Sequence, residues 1–281
     1  MKEIVIQDWS EYIELTSSMY LWGYRGQESA EWPLETSLHR LARNYQVRTD
    51  QLWHREYWML RQFIRRAQHY CSPEQQNQNP VEWLALMQHY GAPTRLLDFS
   101  HSQFVAAFFA LENATTDAAV WCLNTDRIRL DNSVQFGWDY ANLNIDMINL
   151  LAIEQVNSLI CFDSGNKPEG LSPLTLVVEP EQLHERLMNQ QGFFLFPSNL
   201  ERSVIENISG TGVTLATTEN TTSIAHLGLD DDHLLKVVIP IALRKKILKS
   251  LESMNVNART LFPGLDGFAR SMKYHMSTFG N

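Results

Sequence analysis

Between Asn79 and Glu112 two apolar runs at helical spacing flank a short polar segment. In the first run Trp83, Leu86, Met87 and Tyr90 share one face of a 3.6-residue repeat. Asn79 is placed to cap that helix, Pro80 suits its first turn, Glu82 can return a hydrogen bond to the cap, and Gly91 suits a left-handed end. In the second run Phe104, Val105, Phe108 and Phe109 form an apolar stripe broken only by alanines, which predicts a buried helix, with Ser100 and Gln103 repeating the capping arrangement. The segment between them, Gln88 to Asp98, sets Arg95 and Asp98 beside two leucines. A lone charge there would be costly to desolvate, so these residues either form a buried ion pair that pins the backbone or serve a ligand.

The rest of the chain mixes the two periodicities. Short apolar runs predict strands at Glu3 to Ile6, Tyr20 to Gln27, Ala118 to Leu123, Leu174 to Val178, Gln190 to Pro197 and Leu234 to Ile239. A further strand is a weaker expectation at Val213 to Ala216. Helical spacing predicts helices over Trp9 to Tyr20, capped by Asp8 with Glu11, and over Trp53 to Tyr70 after Asp50. Others are expected around Met147 to Val156 and over Glu181 to Asn189, Leu243 to Met254 and Gly267 to Met276. The helix after Asp50 carries Arg55, Arg61, Arg65 and Arg66 away from its apolar face, the ordinary pattern of a solvated surface. Ser72 to Asn79 reads as a loop, too short to separate domains. Strands and helices do not alternate regularly, which favours an α+β class with a mixed sheet over a doubly wound one.

Composition narrows the function classes. A chain of 281 residues with 44% hydrophobic content can build a substantial core. Its net charge of −9, with scattered basic residues, disfavours a grip on duplex phosphates by the whole surface but leaves room for a local basic site. Cys71, Cys122 and Cys161 are far apart and lack a zinc-type spacing, so neither a metal site nor a disulfide framework is expected, and a reducing cytoplasm is the simplest setting. No apolar run reaches the length of a signal peptide core or a membrane span. The phosphate-cradling GxGxxG and GxxxxGK[ST] loops are missing, as are GxSxG and HExxH. What remains are recognition groups: Arg25 at a strand end, the Gln88 to Asp98 segment, and the Gln-x-Gly-x-Phe turn at Gln190 to Phe194.

Five ordered motifs carry a resemblance. They are Tyr24-Arg25-Gly26-Gln27; Trp83-Leu84-Ala85 with Gln88-His89-Tyr90-Gly91-x-Pro93-Thr94-Arg95-Leu96-Leu97-Asp98; Phe108-Phe109-Ala110; Gln190-x-Gly192-x-Phe194; and Leu261-Phe262-Pro263-Gly264-Leu265-Asp266-Gly267. Together they closely resemble the FRG domain family, over about residues 20 to 276 of a single 1–281 domain. The motif order in turn looks like a divergent ADP-ribosyltransferase of the NAD-splitting toxin type.

That resemblance implies an ADP-ribosyltransferase-like mixed sheet with surrounding helices, and NAD as substrate. It implies that Arg25 holds the NAD phosphate or ribose, and that Thr94 or Ser100 supplies a hydroxyl beside the nicotinamide. Tyr24, Gly26, Gln27, His89 and Arg95 would complete the NAD site, and Arg25, Asp98 and Gln190 would carry the chemistry. Gln190 stands where such enzymes usually have an acidic residue, so Asp98 or Glu201 becomes the candidate carboxylate. The implied protein is a cytoplasmic mono-ADP-ribosyltransferase, a toxin or phage-defence effector with a nucleic-acid or protein acceptor. The second reading is a non-catalytic binding module of the same fold.

Overall fold

The structure is a computed structural model that describes residues 2–67, 69–71, 78–160, 171–181, 185–210 and 234–278. Seven strands form one mixed sheet: β1 (Lys2–Val5), β2 (Trp22–Gln27), β3 (Leu97–Ser100), β4 (Ala118–Asn124), β5 (Thr175–Val178), β6 (Gly192–Pro197) and β7 (Leu234–Ile239). Their spatial order is β1-β7-β4-β2-β3-β6-β5, with β1 and β7 parallel and the other pairs antiparallel. Helices α1 (Trp9–Ser17), α2 (Ser37–Asn44), α3 (Leu52–Ala67), α4 (Pro80–His89), α5 (Gln103–Leu111) and α6 (Thr125–Phe136) belong to the first half of the chain. They are followed by α7 (Ile145–Leu159), α8 (Glu185–Asn189), α9 (Val204–Gly210), α10 (Arg244–Ser253), α11 (Ala258–Leu261) and α12 (Gly264–Thr278). This is an α+β fold. The expected strand at Val213 to Ala216 and most of the Ser72 to Asn79 loop lie outside the described residues.

The capping signals resolve individually. Asn79 and Glu82 form the expected capping box at α4, with Pro80 in its first turn, and Gly91 adopts φ +82° after it. At α1, Asp8 accepts from the Glu11 amide, while the Glu11 carboxylate accepts from the Gln7 amide rather than from that of the cap. At α5 the expected cap lies two residues too early: the cap is Ser102, whose hydroxyl accepts from the Val105 amide. Ser100 cannot serve because it is the last residue of β3, paired with Gly192. That strand begins at the end of the polar segment between the two helices.

Most burial among the described residues falls into three cores. On one face, α1, α5 and α10 cover β1, β7, β4 and β2 through residues such as Tyr12, Val105, Phe108, Val120 and Val237. On the same face, α3, α4 and α7 cover β5 and β6 through Trp83, Leu84, Val156, Leu176 and Phe196. The opposite face carries a core that crosses both halves, with Phe99, Trp121, Ile128, Phe193 and Leu195. Phe108 is 6% exposed within the first core. Phe108→Ala should therefore cost about 3–5 kcal/mol through the burial removed and the cavity left behind; an equilibrium denaturation curve checks this, and a loss under about 1 kcal/mol would show the site collapsing to fill the space.

The two halves of the sheet meet weakly. Strand β2 runs beside β4 for six residue pairs and β3 beside β6 for four, but β2 and β3 share only the pair Tyr24 and Ser100. The sheet therefore opens between β2 and β3, on the face where the cores under α5 and α4 are separate. Among the described residues no helix is long and apolar enough to cross a membrane.

Candidate functional site

A cavity of about 430 Å³ occupies this opening. Strand β2 contributes Tyr24, Arg25, Gly26 and Gln27, and β3 contributes Asp98, Phe99 and Ser100. Gln88 and His89 reach it from the end of α4, Phe109 from α5, Arg186 from α8, and Gln190 from the turn before β6. Glu28, Trp32 and Arg40 complete one side. The size falls within the range of small-molecule sites, roughly 300–1,000 Å³.

Arg25 sits where the β2 and β3 ladder stops. Its guanidinium Nη1 donates to the main-chain carbonyl of Asp98 at 2.7 Å and lies 3.8 Å from the Asp98 carboxylate. The side chain is 17% exposed, and its Nε is buried without a hydrogen-bond partner. A buried donor left unmade costs free energy, which an acceptor in the cavity would offset. Burial pulls the Arg25 pKa down, Asp98 opposes that shift, and the charge of Arg40 adds to it. The guanidinium keeps its charge throughout. Asp98 is exposed, with 61% of its side chain accessible, and also supports the charge of Arg186, whose pKa is lowered by burial. Three guanidinium groups thus share one small cavity with the carboxylates of Asp98 and Glu28, an arrangement that favours an anionic ligand with polar groups attached.

Gln190 is fixed from two sides. Its main-chain carbonyl accepts from the Ser100 hydroxyl at 2.7 Å, and its side-chain Nε2 donates to the Leu261 carbonyl at 3.2 Å. Because a carbonyl can only accept, this contact assigns the amide orientation and leaves Oε1 as its acceptor end. Ser100 is consequently a staple, donating to Gln190 and accepting from the Ser102 amide. Two other cavity residues are also internally committed. The Gln27 amide bridges the Trp121 indole and the Pro33 carbonyl, and the Tyr24 hydroxyl reaches the Thr16 and Met19 carbonyls at 3.4 Å. Burial raises the Tyr24 pKa, keeping that phenol protonated. His89 is exposed at the rim, edge-on to Tyr90.

Gly26 has a different reason from ligand approach. A Cβ there would come within 2.1 Å of the Ala106 carbonyl oxygen and 2.5 Å of the Ala110 amide, so it is the backbone of α5 that needs the space. Gly26→Ala should shift α5 or unfold the domain, lowering the melting temperature; an unchanged melting curve would show that α5 moves aside freely.

Three of the expected candidates lie elsewhere. Arg95 does not line the cavity: it is 1% exposed and paired with Glu56 of α3, not with Asp98. Its Nε meets Glu56 Oε2 at 2.6 Å, its amide meets Oε1 at 3.0 Å, and its Nη1 donates to the Ser198 carbonyl at 3.1 Å. The guanidinium lies 4.4 Å from the Trp53 ring and 4.9 Å from the Phe196 ring. Thr94 is fully buried, its hydroxyl donating to Gln88 Oε1 and accepting from the Leu96 amide. Both residues hold the motif in shape from beneath. Glu201 is exposed and also lies outside the cavity. Conversely, Arg40, Arg186 and Glu28 were not expected there. For Arg186 the sequence held one signal: it precedes Gln190 by one helical turn, and the Gln190 amide donates to its carbonyl.

Residues 21–119 match the FRG domain family model. The match covers 99 of the 281 residues. No curated protein and no solved structure matches the chain. The matched span of the FRG domain runs from the start of β2 into β4, so it holds Arg25, Asp98, Ser100 and the α4 and α5 pair. Gln190 and Arg186 come from beyond it, yet both line the cavity that the FRG segment opens. The late Leu261 to Gly267 motif is also beyond it, and it holds Gln190 through the Leu261 carbonyl and Arg186 through the Phe262 ring, 4.7 Å from the guanidinium. Among the described residues no group of three His, Cys, Asp or Glu is arranged to hold a metal ion.

Proposed function

We propose that this FRG domain binds NAD in the cavity at the sheet opening and splits its nicotinamide–ribose bond, passing the ADP-ribosyl group to an acceptor. The observation that carries this reading is the convergence of Arg25, Asp98 and Gln190, from three distant parts of the chain, on one cavity in which Arg25 retains an unmade donor. Breaking the N-glycosidic bond sends the bonding electron pair out with neutral nicotinamide and leaves positive charge on the ribose. Such a reaction needs a clamp on the pyrophosphate and negative or dipolar groups near the sugar, without an obligatory protein nucleophile. Arg25, with Arg40 or Arg186, suits the clamp because a guanidinium fork binds phosphate oxygens in pairs. Asp98 supplies the carboxylate that Gln190 lacks, and Oε1 of Gln190 is free to accept from a ribose hydroxyl. The acceptor, water or a nucleophile on a nucleic acid or protein, then takes the ribose carbon and gives up a proton. On this reading the protein is a cytoplasmic effector of the toxin or phage-defence kind.

Nicotinamide release from NAD by wild type, Gln190→Ala and Gln190→Glu tests it. Gln190→Ala is expected to lower turnover roughly 10- to 100-fold with a smaller change in KM, because the ribose gains charge only toward the transition state. Gln190→Glu is expected to preserve or raise turnover, since a carboxylate stabilises that charge better than an amide dipole. No release above buffer from any of the three, with folding intact, would sink the reading. A second reading, a non-catalytic binding module, is favoured by the two bonds that tie Gln190 to Ser100 and Leu261. Under it both variants melt earlier and none of the three proteins consumes NAD.

A further inference from the structure

The outer face of α3 is solvated, as its sequence suggests, but its charges are not balanced. Arg55, Arg61, Arg65 and Arg66 are all exposed on it, and Trp58 lies among them, 57% exposed. The helix has one acidic residue, Glu56, which points the other way into the core and is consumed by Arg95. None of the four arginines pairs with a carboxylate among the described residues: Arg55 and Arg66 donate only to Gln51 and Gln62. By contrast, Arg43 and Arg48 nearby are matched to Glu35 and Asp50. A cluster of positive charge that no described carboxylate compensates, in a chain of net charge −9, is a local field aimed at a polyanion. A half-exposed indole at its centre adds a flat apolar surface of the kind on which an unstacked base rests. Beside Arg61 and Arg65, a groove of about 360 Å³ continues this face toward Pro80 and Trp83 at the start of α4.

We infer that the exposed face of α3 is a binding surface for single-stranded nucleic acid, with Arg55, Arg61, Arg65 and Arg66 on the phosphates and Trp58 stacked on a base. The indole selects against a duplex: paired bases are already stacked and offer Trp58 no face, whereas a single strand offers one at each nucleotide. The face shares no residue with the cavity, so it stands whether or not that cavity takes NAD.

Fluorescence anisotropy with a labelled 15-nucleotide oligo(dT), oligo(U) of the same length, and a 15-base-pair duplex tests this over a range of salt concentrations. The protein is expected to bind a single strand more tightly than the duplex, with affinity falling as salt rises. Comparing oligo(dT) with oligo(U) tells DNA from RNA, and saturable binding to either supports the surface. Trp58→Ala is expected to weaken single-strand binding about 5- to 100-fold, the worth of one stacked base, with little change in salt dependence. Arg61→Gln with Arg65→Gln should instead flatten the slope of log affinity against log salt by about 1.4, because each phosphate neutralised on a single strand adds roughly 0.7 to that slope. All replaced groups are exposed, so circular dichroism and melting should match the wild type. The inference is overturned if neither single strand binds saturably at 50 mM salt, or if wild type and both variants bind alike. It is equally overturned if the duplex binds better and Trp58→Ala changes nothing.

Discussion

Glu56→Ala is expected to destabilise the protein by about 3–5 kcal/mol, because it leaves a buried guanidinium without its counter-charge. Arg95 and Glu56 expose 1% and 4% of their side chains, and the carboxylate serves both the Arg95 Nε and the Arg95 amide. Removing it strands the Nε, Nη2 and main-chain amide donors at once, while Trp53 and Phe196 on the guanidinium faces keep water from replacing it. The companion double change, Glu56→Leu with Arg95→Met, removes both charges and should recover much of the loss, since a buried ion pair often contributes little net stability over an apolar pair of similar volume. Chemical denaturation of the three proteins measures the difference. A single variant as stable as wild type would mean that Arg95 finds another partner and that the motif does not depend on α3.

Arg25→Ala should have the opposite profile, with a large effect on NAD handling and a small one on folding. Its structural bonds amount to one hydrogen bond to the Asp98 carbonyl and a 3.8 Å approach to an exposed carboxylate, which solvent screens. A loss of about 1 kcal/mol would move the melting temperature of a chain this size by roughly 2–4 °C. Loss of a preorganised charged donor at the pyrophosphate should cut NAD turnover about 100- to 1,000-fold. Arg25→Lys keeps the charge but not the fork, so it should recover only part of that loss. Nicotinamide release and melting curves taken together decide between roles: unfolding of Arg25→Ala in parallel with the loss of activity would make Arg25 a structural strut.

The difference between these two arginines shows what kind of information the sequence holds. Both stand in apolar surroundings beside strands, and both lie in the span that matches the FRG model, so their local patterns are alike. What separates them is a carboxylate 39 residues away in sequence. Glu56 follows Arg55 on a helix whose other charges face solvent, and nothing in that pattern marks it as the one charge turned inward. The place of Arg40 is illegible in the sequence for the same reason in reverse, and Arg186 is marked only by its spacing of one turn from Gln190. Each lies on a helix, and only the opening between β2 and β3 turns that helix surface into a cavity wall.

By itself the sequence determined the elements whose causes are local. The α4 capping box, the left-handed Gly91, the apolar stripe of α5 and the long strands β2, β4, β6 and β7 all follow from residue types at fixed spacing, because caps, periodicity and glycine conformations act within a few residues. The α+β class followed from their irregular order. Tertiary structure decided the rest. Strand β3 exists because β6 offers it four partners, and Ser100 became a staple and not a cap because that pairing claimed it. Gly26 answers to the backbone of α5, and Arg95 to Glu56. The cavity itself depends on two half-sheets that share a single residue pair. Each of these rests on contacts between segments far apart in sequence, whose free energy depends on distance in space and leaves no periodic trace along the chain.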